Sequence, residues 1–233
     1  GVRPSIDLIR PALCVNVHIQ KDMAIVSIDL AGESLHRRGY REEGAEAPLK
    51  ENLAAAILLY SKWPSVAKGG GSLVDLMCGS GTLPIEAALI AADIAPGLQR
   101  PYFGFLGWRG HDKSTWDLLV KEAEGRRKNG LSILPPIFGF DRDPSAIKTS
   151  ISNAEKAGLK GKIRFEQREV SSIGEVKGFG TKGLVIVNPP YGERLGSEDE
   201  LKGLYLEIGD QIKRNFIGWK GAVFTGAPGL GKE

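Results

Sequence analysis

The chain has 233 residues, a length that suits one domain with a small appendage. It is 42% apolar and 25% charged, which is ordinary for a globular protein, and its apolar runs are shorter than the roughly 18 residues that span a bilayer. Lys and Arg exceed Asp and Glu by 31 to 28, so the charge permits a nucleic-acid partner but does not require one. We therefore expect no membrane partner.

The beginning of the chain lacks the charged segment, apolar stretch and cleavage site of a secretory signal. Its two cysteines, Cys14 and Cys78, have neither metal-ligand spacing nor the number that a disulfide framework needs. Both features favour a reducing cytoplasm and a protein without a bound metal.

Two short segments near the N-terminus predict a β-hairpin. Apolar and polar side chains alternate through ALCVNVHIQ and MAIVSIDLAG, with a turn at Lys21 and Asp22. An isolated hairpin is only marginally stable in water, so we expect this hairpin to belong to a module whose remainder lies upstream. The next segment, ESLHRRGYR, has four cationic side chains, counting His36 if protonated, and no apolar period, which is typical of a linker.

The rest of the chain has the pattern of an α/β fold. A helix is predicted between Pro48 and Pro64. From Ser72 onward, apolar strands alternate with amphipathic helices, and the strands are SLVDLM, PIFGFD, KIRFEQREV, GLVIVN and GAVFTG. This alternation predicts an open, doubly wound, mainly parallel sheet. An insert rich in aromatic residues and arginine separates the first two of these strands.

The first of these strands ends in the motif DLMCGSGT. In such sheets ligands bind beyond the carboxyl ends of the strands. Gly79 and Gly81 allow backbone N–H groups to approach a ligand closely, and the following helix supplies partial positive charge. A tight turn that binds nothing explains the motif about equally well. As a ligand site it would comprise Asp75, Cys78, Gly79, Ser80, Gly81 and Thr82.

Acidic residues lie at the ends of the next two strands. Asp141 is predicted to accept hydrogen bonds from ribose hydroxyls, whereas Asp143, directly before Pro144, is predicted to cap a helix. Glu169 reaches the same edge and could accept from an exocyclic amine. A solvated strand end explains Glu169 nearly as well.

The fourth strand ends in NPPY, residues 188–191. Two prolines cannot donate to a sheet ladder, so they end the strand and hold the chain extended. Asn188 is then expected beside the glycine turn, where its side-chain oxygen and the carbonyl of Pro189 offer two acceptors to an –NH₂ group. Tyr191 offers a flat face on which a base can stack. An ordinary proline-terminated loop with a surface tyrosine is the alternative.

The motifs DLMCGSGT and NPPY together resemble S-adenosylmethionine-dependent methyltransferases that act on amino groups. The wider pattern, from LHRRGYR through APLKENLAAAIL to NPPYGERLG, resembles the bacterial 23S ribosomal RNA guanine-N2 methyltransferases that carry a THUMP RNA-binding domain. The resemblance runs from about Ser34 to the C-terminus.

The resemblance implies a Rossmann-like class I methyltransferase domain at residues 34–233 and the closing hairpin of a THUMP domain at residues 1–33. It implies S-adenosylmethionine as the cofactor, bound by the glycine-turn residues with Asp141, Glu169 and Asn188, and catalysis by Asn188, Pro189 and Tyr191. It also implies an RNA partner, most simply 23S rRNA, with phosphate contacts from Arg37, Arg38, Arg41, Arg100, Arg109 and Arg194.

Two features depart from that family. Glu169 stands where the family often has Asp, which leaves the adenine contact open. The family domain continues for two further strands, so we expect an exposed sheet edge and a chain that is a fragment.

Four other functions remain open from the residues. They are an adenine-N6 DNA methyltransferase, a tRNA guanine-N2 methyltransferase, a non-catalytic fragment that binds RNA or S-adenosylmethionine, and a phosphate-loop nucleotide-binding protein. The last rests on G-x-x-x-x-G-K at residues 226–232. Glu233 follows it where a magnesium-binding Ser or Thr is required.

Overall fold

The computed structural model describes residues 6–9, 11–41, 49–190, 198–226 and 229. Within these ranges the strands are β1 Cys14–Gln20, β2 Met23–Asp29, β3 Ser72–Asp75, β4 Ile137–Asp141, β5 Arg164–Gln167, β6 Gly183–Val187 and β7 Lys220–Val223. The helices are α1 Glu51–Tyr60, α2 Trp63–Lys68, α3 Thr82–Ala91, α4 Lys113–Ser132, α5 Pro144–Lys156 and α6 Glu198–Asn215.

Five strands form a parallel sheet in the order β5-β4-β3-β6-β7. Strands β4 and β5 lie in turn on one side of β3, and β6 and β7 lie on its other side. The prediction of a doubly wound parallel sheet is therefore confirmed. The reversal places a crevice at the carboxyl end of β3, between β4 and β6.

Alternate side chains of the strands fill two separate cores. Leu73, Leu184 and Ile186 pack on the face covered by α1, α2 and α3. Val74 and Val185 point to the other face, where the core includes residues of α6 and of the 3₁₀ helix Val170–Glu175. Because both faces of the sheet are covered, functional side chains are confined to the strand ends.

The predicted hairpin is also confirmed. β1 and β2 pair antiparallel with Gln20 opposite Met23, and nearly all of their side chains are exposed. The hairpin region contacts the aromatic insert: the Phe105 N–H donates to the Leu30 carbonyl at 2.9 Å, and the Tyr102 hydroxyl donates to the Ala12 carbonyl at 2.7 Å. The division of the chain into domains at residue 33 stays a prediction.

The helix expected between Pro48 and Pro64 is α1, and a second helix, α2, which the sequence analysis did not predict, follows it. α1 ends at Tyr60, and Pro64 lies in the first turn of α2, where a missing N–H removes no helical hydrogen bond. Pro48 lies outside the described residues. No described helix is long and apolar enough to cross a membrane.

Two glycines of α4 give a matched test of its packing against the end of α3. A Cβ on Gly130 would lie 1.9 Å from the Ala92 carbonyl oxygen, whereas a Cβ on Gly125 would meet no atom within 4 Å. We expect Gly130→Ala to lower the free energy of unfolding by about 1–3 kcal/mol, because α4 must move away from Ala92. Gly125→Ala should raise it by up to about 1 kcal/mol through the lower entropy of the unfolded chain. Urea denaturation measures both, and equal effects of the two changes would show that the close approach is absent.

Candidate functional site

The candidate site lies where three neighbouring strands end. Asp75, the last residue of β3, pairs with Gly139 of β4 on one side and with Ile186 of β6 on the other. Asp141 and Asn188 each follow these partners by two residues, so they flank the end of β3 at equal height. Because neighbouring strands lie about 4.8 Å apart, the backbones of Asp141 and Asn188 are roughly 10 Å apart. The asparagine tip and the glycine turn therefore share one edge of the sheet, as the sequence predicts.

The glycine turn is held to β4 by two hydrogen bonds. The Cys78 N–H donates to the Phe140 carbonyl at 2.7 Å, and the Gly79 N–H donates to Oδ2 of Asp141 at 2.9 Å. The other oxygen of Asp141 accepts from the N–H of Asp143 at 3.0 Å. Asp141 therefore braces the turn, a role that its predicted contact with ribose did not include. Asp143 caps α5 through the Ser145 N–H, as predicted.

Different structural constraints explain why glycine occurs at the two positions of the turn. Both have positive φ, +53° at Gly79 and +84° at Gly81. A Cβ on Gly81 would lie 2.9 Å from Cβ of Ser150 and 3.2 Å from the Phe165 ring, so packing inside the protein accounts for this glycine. A Cβ on Gly79 would meet nothing within 4 Å. Its positive φ therefore accounts for glycine at position 79, and the space beside it is open.

The first turn of α3 has no side-chain cap, since Gly81 occupies the N-cap position. Helix N-termini of this kind have N–H groups available to a ligand and carry partial positive charge. Ser80 and Thr82 lie on either side of Gly81 at the start of α3, and their hydroxyl oxygens are 3.5 Å apart.

Two buried acceptors at this edge lack a hydrogen-bond partner among the described residues: Oδ2 of Asp75 and Oδ1 of Asn188. Asp75 is 1% exposed, and its other oxygen accepts from the Met77 N–H at 3.1 Å. Leaving a buried acceptor unsatisfied costs about 1–3 kcal/mol. Two such atoms on adjacent strands fit a ligand that brings N–H donors or positive charge to the end of β3.

Burial controls the charge of this edge. It raises the pKa of Asp75 to about 8, the nearby Asp141 carboxylate adds to that rise, and the hydrogen bond from Met77 opposes it. Asp75 is therefore mostly neutral at pH 7 in the ligand-free protein. Burial also raises the pKa of the Cys78 thiol, with further contributions from Asp75 and Asp141. A protonated thiol is a poor nucleophile, so we assign Cys78 no nucleophilic role, and its contact with the cofactor stays a prediction.

The other predicted residues of the cofactor and catalytic sites lie at the same edge of the sheet or outside the described residues. Arg168 donates its N–H to the Asp141 carbonyl, which brings exposed Glu169 to the edge next to Asp141. Pro189 is buried directly after Asn188. Tyr191 lies outside the described residues, as does most of the G-x-x-x-x-G-K segment.

Three of the predicted phosphate-binding arginines make contacts inside the protein, and their role in RNA binding stays a prediction. Arg38 forms an ion pair with buried Glu86 at 3.4 Å, and Arg41 donates to Oγ1 of Thr82 at 2.7 Å. Arg100 lies over the Phe103 ring and donates to four backbone carbonyls, those of Ala31, Glu33, Ser34 and Arg37. These contacts show that the three guanidinium groups help to hold the segment before α1 in place.

The remaining arginines keep their predicted role as proposals. Arg37 is exposed and lies 4.0 Å from Glu33, a weak surface pair. Arg109 is exposed on the aromatic insert. Arg194 lies outside the described residues.

Sequence reasoning missed two residues that support the glycine turn. Asn153 of α5 is 1% exposed and donates its side-chain N–H to the Ser80 carbonyl at 2.9 Å. Phe165 of β5 fills the space beside both Gly81 and Gly139. The absence of a side chain at Gly139, in the middle of an apolar strand, was the signal that a close neighbour is present. Among the described residues, no group of three or more His, Cys, Asp or Glu is placed to hold a metal ion.

Comparison with known proteins agrees with this geometry. Residues 38–232 match the family model described as "RMKL-like, methyltransferase domain". The chain belongs to this methyltransferase family.

Several relatives in this family have closely similar sequences. Ribosomal RNA large subunit methyltransferase K/L of Syntrophotalea carbinolica is 57% identical over 232 residues, which are 99% of this chain and 32% of the relative. The protein of the same name from Pseudomonas aeruginosa is 47% identical over 235 residues, with 100% and 32% of the two chains covered. The chain thus spans about one third of the length of these relatives.

Solved structures share the fold. SMU.472, a protein assigned as a methyltransferase and solved in complex with SAH, superposes with a TM-score of 0.78 at 33% identity, over 95% of this chain and 56% of that one. A protein of Listeria monocytogenes assigned as an N6-adenine-specific DNA methylase has a TM-score of 0.80 at 37% identity, over 94% and 55%.

The buried carboxyl group makes the stability of the fold depend on pH. In the unfolded chain Asp75 loses its proton near its ordinary pKa of 3.8, whereas in the folded chain it keeps the proton up to about pH 8. Between these values the unfolded state binds fewer protons, so Asp75 lowers the free energy of unfolding by about 1.4 kcal/mol per pH unit as pH rises. We expect Asp75→Asn, which has no such proton, to gain stability relative to the unchanged chain from pH 5 to pH 7.5. Urea denaturation at several pH values tests this, and a difference that stays constant with pH would contradict it.

Proposed function

We propose that this chain is the catalytic part of an enzyme that transfers a methyl group from S-adenosylmethionine to the exocyclic N2 amine of guanine in 23S ribosomal RNA. The observation that carries the proposal is the buried Oδ1 of Asn188, at the end of β6 beside the glycine turn, which has no hydrogen-bond partner among the described residues. An acceptor without a donor at this place suits an incoming amino group.

The methyl donor is S-adenosylmethionine, whose sulfonium supplies a methyl group on an already activated leaving group. Its positive charge would favour the ionised form of Asp75, whose Oδ2 has no partner among the described residues. Its adenosine part would lie along the turn toward Asp141 and Glu169. Gly79, Ser80 and Thr82, at the uncapped start of α3, would contact its remaining polar groups. Cys78 and Gly81 shape this site from behind.

The reactivity of the target amine depends on the acceptors to which it donates its N–H bonds. The lone pair of a guanine amine is delocalised into the ring, so the free amine is a poor nucleophile. If Asn188 Oδ1 and the Pro189 carbonyl each accept one N–H, the nitrogen becomes more pyramidal and its lone pair turns toward the methyl group. Orientation of this kind contributes within the roughly 7–11 kcal/mol available to well-placed reactants. Once alkylated, the amine is acidic enough to release its proton without a strong base.

RNA must present the base outside its stack, at a cost of a few kcal/mol. Stacking on Tyr191 would offset part of this cost, about 1–3 kcal/mol per base. Phosphate contacts from Arg37, Arg109 and Arg194 would hold the strand. The hairpin of residues 1–33 would belong to a THUMP-type RNA-binding module, and the enzyme would act in the cytoplasm, where ribosomes are made.

Adenine-N6 methylation of DNA is the second candidate, because the same pair of acceptors suits any exocyclic amine. The naming of the Listeria neighbour as a DNA methylase favours testing it. Tritiated S-adenosylmethionine offered with naked 23S rRNA, tRNA and adenine-rich DNA separates the substrates. Mass spectrometry of the nucleosides then identifies the product. We expect N2-methylguanosine from 23S rRNA, and label confined to DNA would refute the proposal.

Two substitutions should distinguish residues that bind the methyl donor from residues that bind the target amine. Asn188→Ala removes an acceptor of the target amine, so we expect methyl transfer to fall by at least about 100-fold with little change in donor affinity. Asp141→Ala loosens the turn at Gly79, so it should weaken donor binding about tenfold. Calorimetry measures the affinity, and single-turnover labelling measures the transfer.

Asn129→Ala, on the exposed surface of α4, is the matched control for asparagine removal and should change neither quantity. An equal loss of donor affinity in Asn188→Ala and Asp141→Ala would contradict the division between donor and acceptor sides.

A further inference from the structure

Arg41 connects an irregular segment to the first residue of α3. Its Nη2 donates to Thr82 Oγ1 at 2.7 Å and to the Leu49 carbonyl at 2.8 Å, and its Nε lies 3.9 Å from Glu51 Oε1. Thr82 is 5% exposed and directly follows Gly81, the residue that closes the glycine turn. A guanidinium group therefore holds the point where the turn becomes a helix.

The stability of α3 alone does not explain this contact. Helix N-termini carry partial positive charge, so a cation beside one raises the electrostatic energy of the helix. The arrangement is compensated by Glu51, whose side chain is 4% exposed. The chain thus buries an ion pair next to the start of α3, where Arg41 bonds to a hydroxyl group and leaves the backbone N–H groups uncapped.

A second contact from the same segment lies one turn further along α3. Glu86 accepts from Arg38 at 3.4 Å and from the Tyr40 hydroxyl at 3.1 Å. Burial raises the pKa of Glu86, and the charge and hydrogen bond of Arg38 oppose that rise. This contact fastens the segment to the middle of the helix and touches no residue of the glycine turn. It therefore supplies a control for the contact at Thr82.

We propose that Arg41 is a positioning residue for the methyl donor. By holding Thr82, it fixes the direction of the first-turn N–H groups of α3 and the height of the glycine turn beside Asp75. The inference rests on the proposed function, since it concerns the affinity of the same site for S-adenosylmethionine. Arg41 itself acts through Thr82 and makes no contact with the reacting atoms.

The test is a double-mutant cycle with Arg41→Met, Thr82→Val and the pair, measured on the 233-residue chain. Calorimetry gives the dissociation constant for S-adenosylmethionine, and urea denaturation gives the free energy of unfolding. We expect Arg41→Met to raise the dissociation constant about tenfold in the unchanged chain and to have no further effect in the Thr82→Val background, because Arg41 acts through the Thr82 hydroxyl. In a transfer assay, KM for the donor should rise with the dissociation constant, while kcat at saturating donor stays within about twofold.

Tyr40→Phe is the matched control, because it removes a hydrogen bond from the same segment to Glu86. It should lower the free energy of unfolding and leave the dissociation constant unchanged. If Arg41→Met does not fold, Arg41→Lys, which keeps the positive charge but not the planar guanidinium group, is measured in its place, and the same loss of donor affinity is expected. Unchanged donor affinity in the single variants, or losses that add in the pair, would overturn the positioning role. An unchanged chain that binds no S-adenosylmethionine would overturn the proposed function itself.

Discussion

The parallel hydrogen-bond ladders on both sides of β3 are the constraint on which the site depends. They set Asp75 level with Gly139 and Ile186, and so place Asp141 and Asn188 symmetrically two residues beyond. A slip of one residue in either ladder would turn the side chain at that strand end to the opposite face of the sheet. The two apolar cores oppose such a slip, because it would expose a whole face of buried side chains. Packing far from the crevice thus determines the geometry within it.

This edge of the sheet is built at a cost to the stability of the fold. A neutral Asp75, an unpaired oxygen on Asn188 and an uncapped helix are each less favourable than an apolar or fully bonded alternative. They stand together at the end of the central strand, where a ligand can satisfy all three. Gly79 belongs to the same group, because its missing side chain leaves open the space that such a ligand needs. Asn153 and Phe165 hold the turn from inside the protein, through a hydrogen bond to the Ser80 carbonyl and through packing against Gly81.

Sequence patterns predicted the parts of this structure that depend on local periodicity. Alternation found β1 and β2, apolar runs found the five parallel strands, and a proline after Asp143 marked a capped helix. The partners of long polar side chains were not predictable, because they depend on which backbone carbonyls the tertiary fold brings near. Arg100 illustrates this: its four acceptors lie more than sixty residues away in sequence. Its charge suggested a phosphate contact, whereas in the fold both of its Nη atoms donate to backbone carbonyls.

The contacts of these arginines make the segment before α1 part of the packed fold, whereas its sequence is typical of a linker. Arg100 holds the carbonyls that precede Arg38, while Arg38 and Arg41 hold two turns of α3, so residues 31–41 are fixed from both sides. The hairpin joins the same set of contacts through Leu30 and the insert. Packed side chains therefore orient residues 31–41 and the hairpin relative to the glycine turn. Because Arg38, Arg41 and Arg100 contact the same short segment, its position depends on the side of the fold that also carries the start of α3.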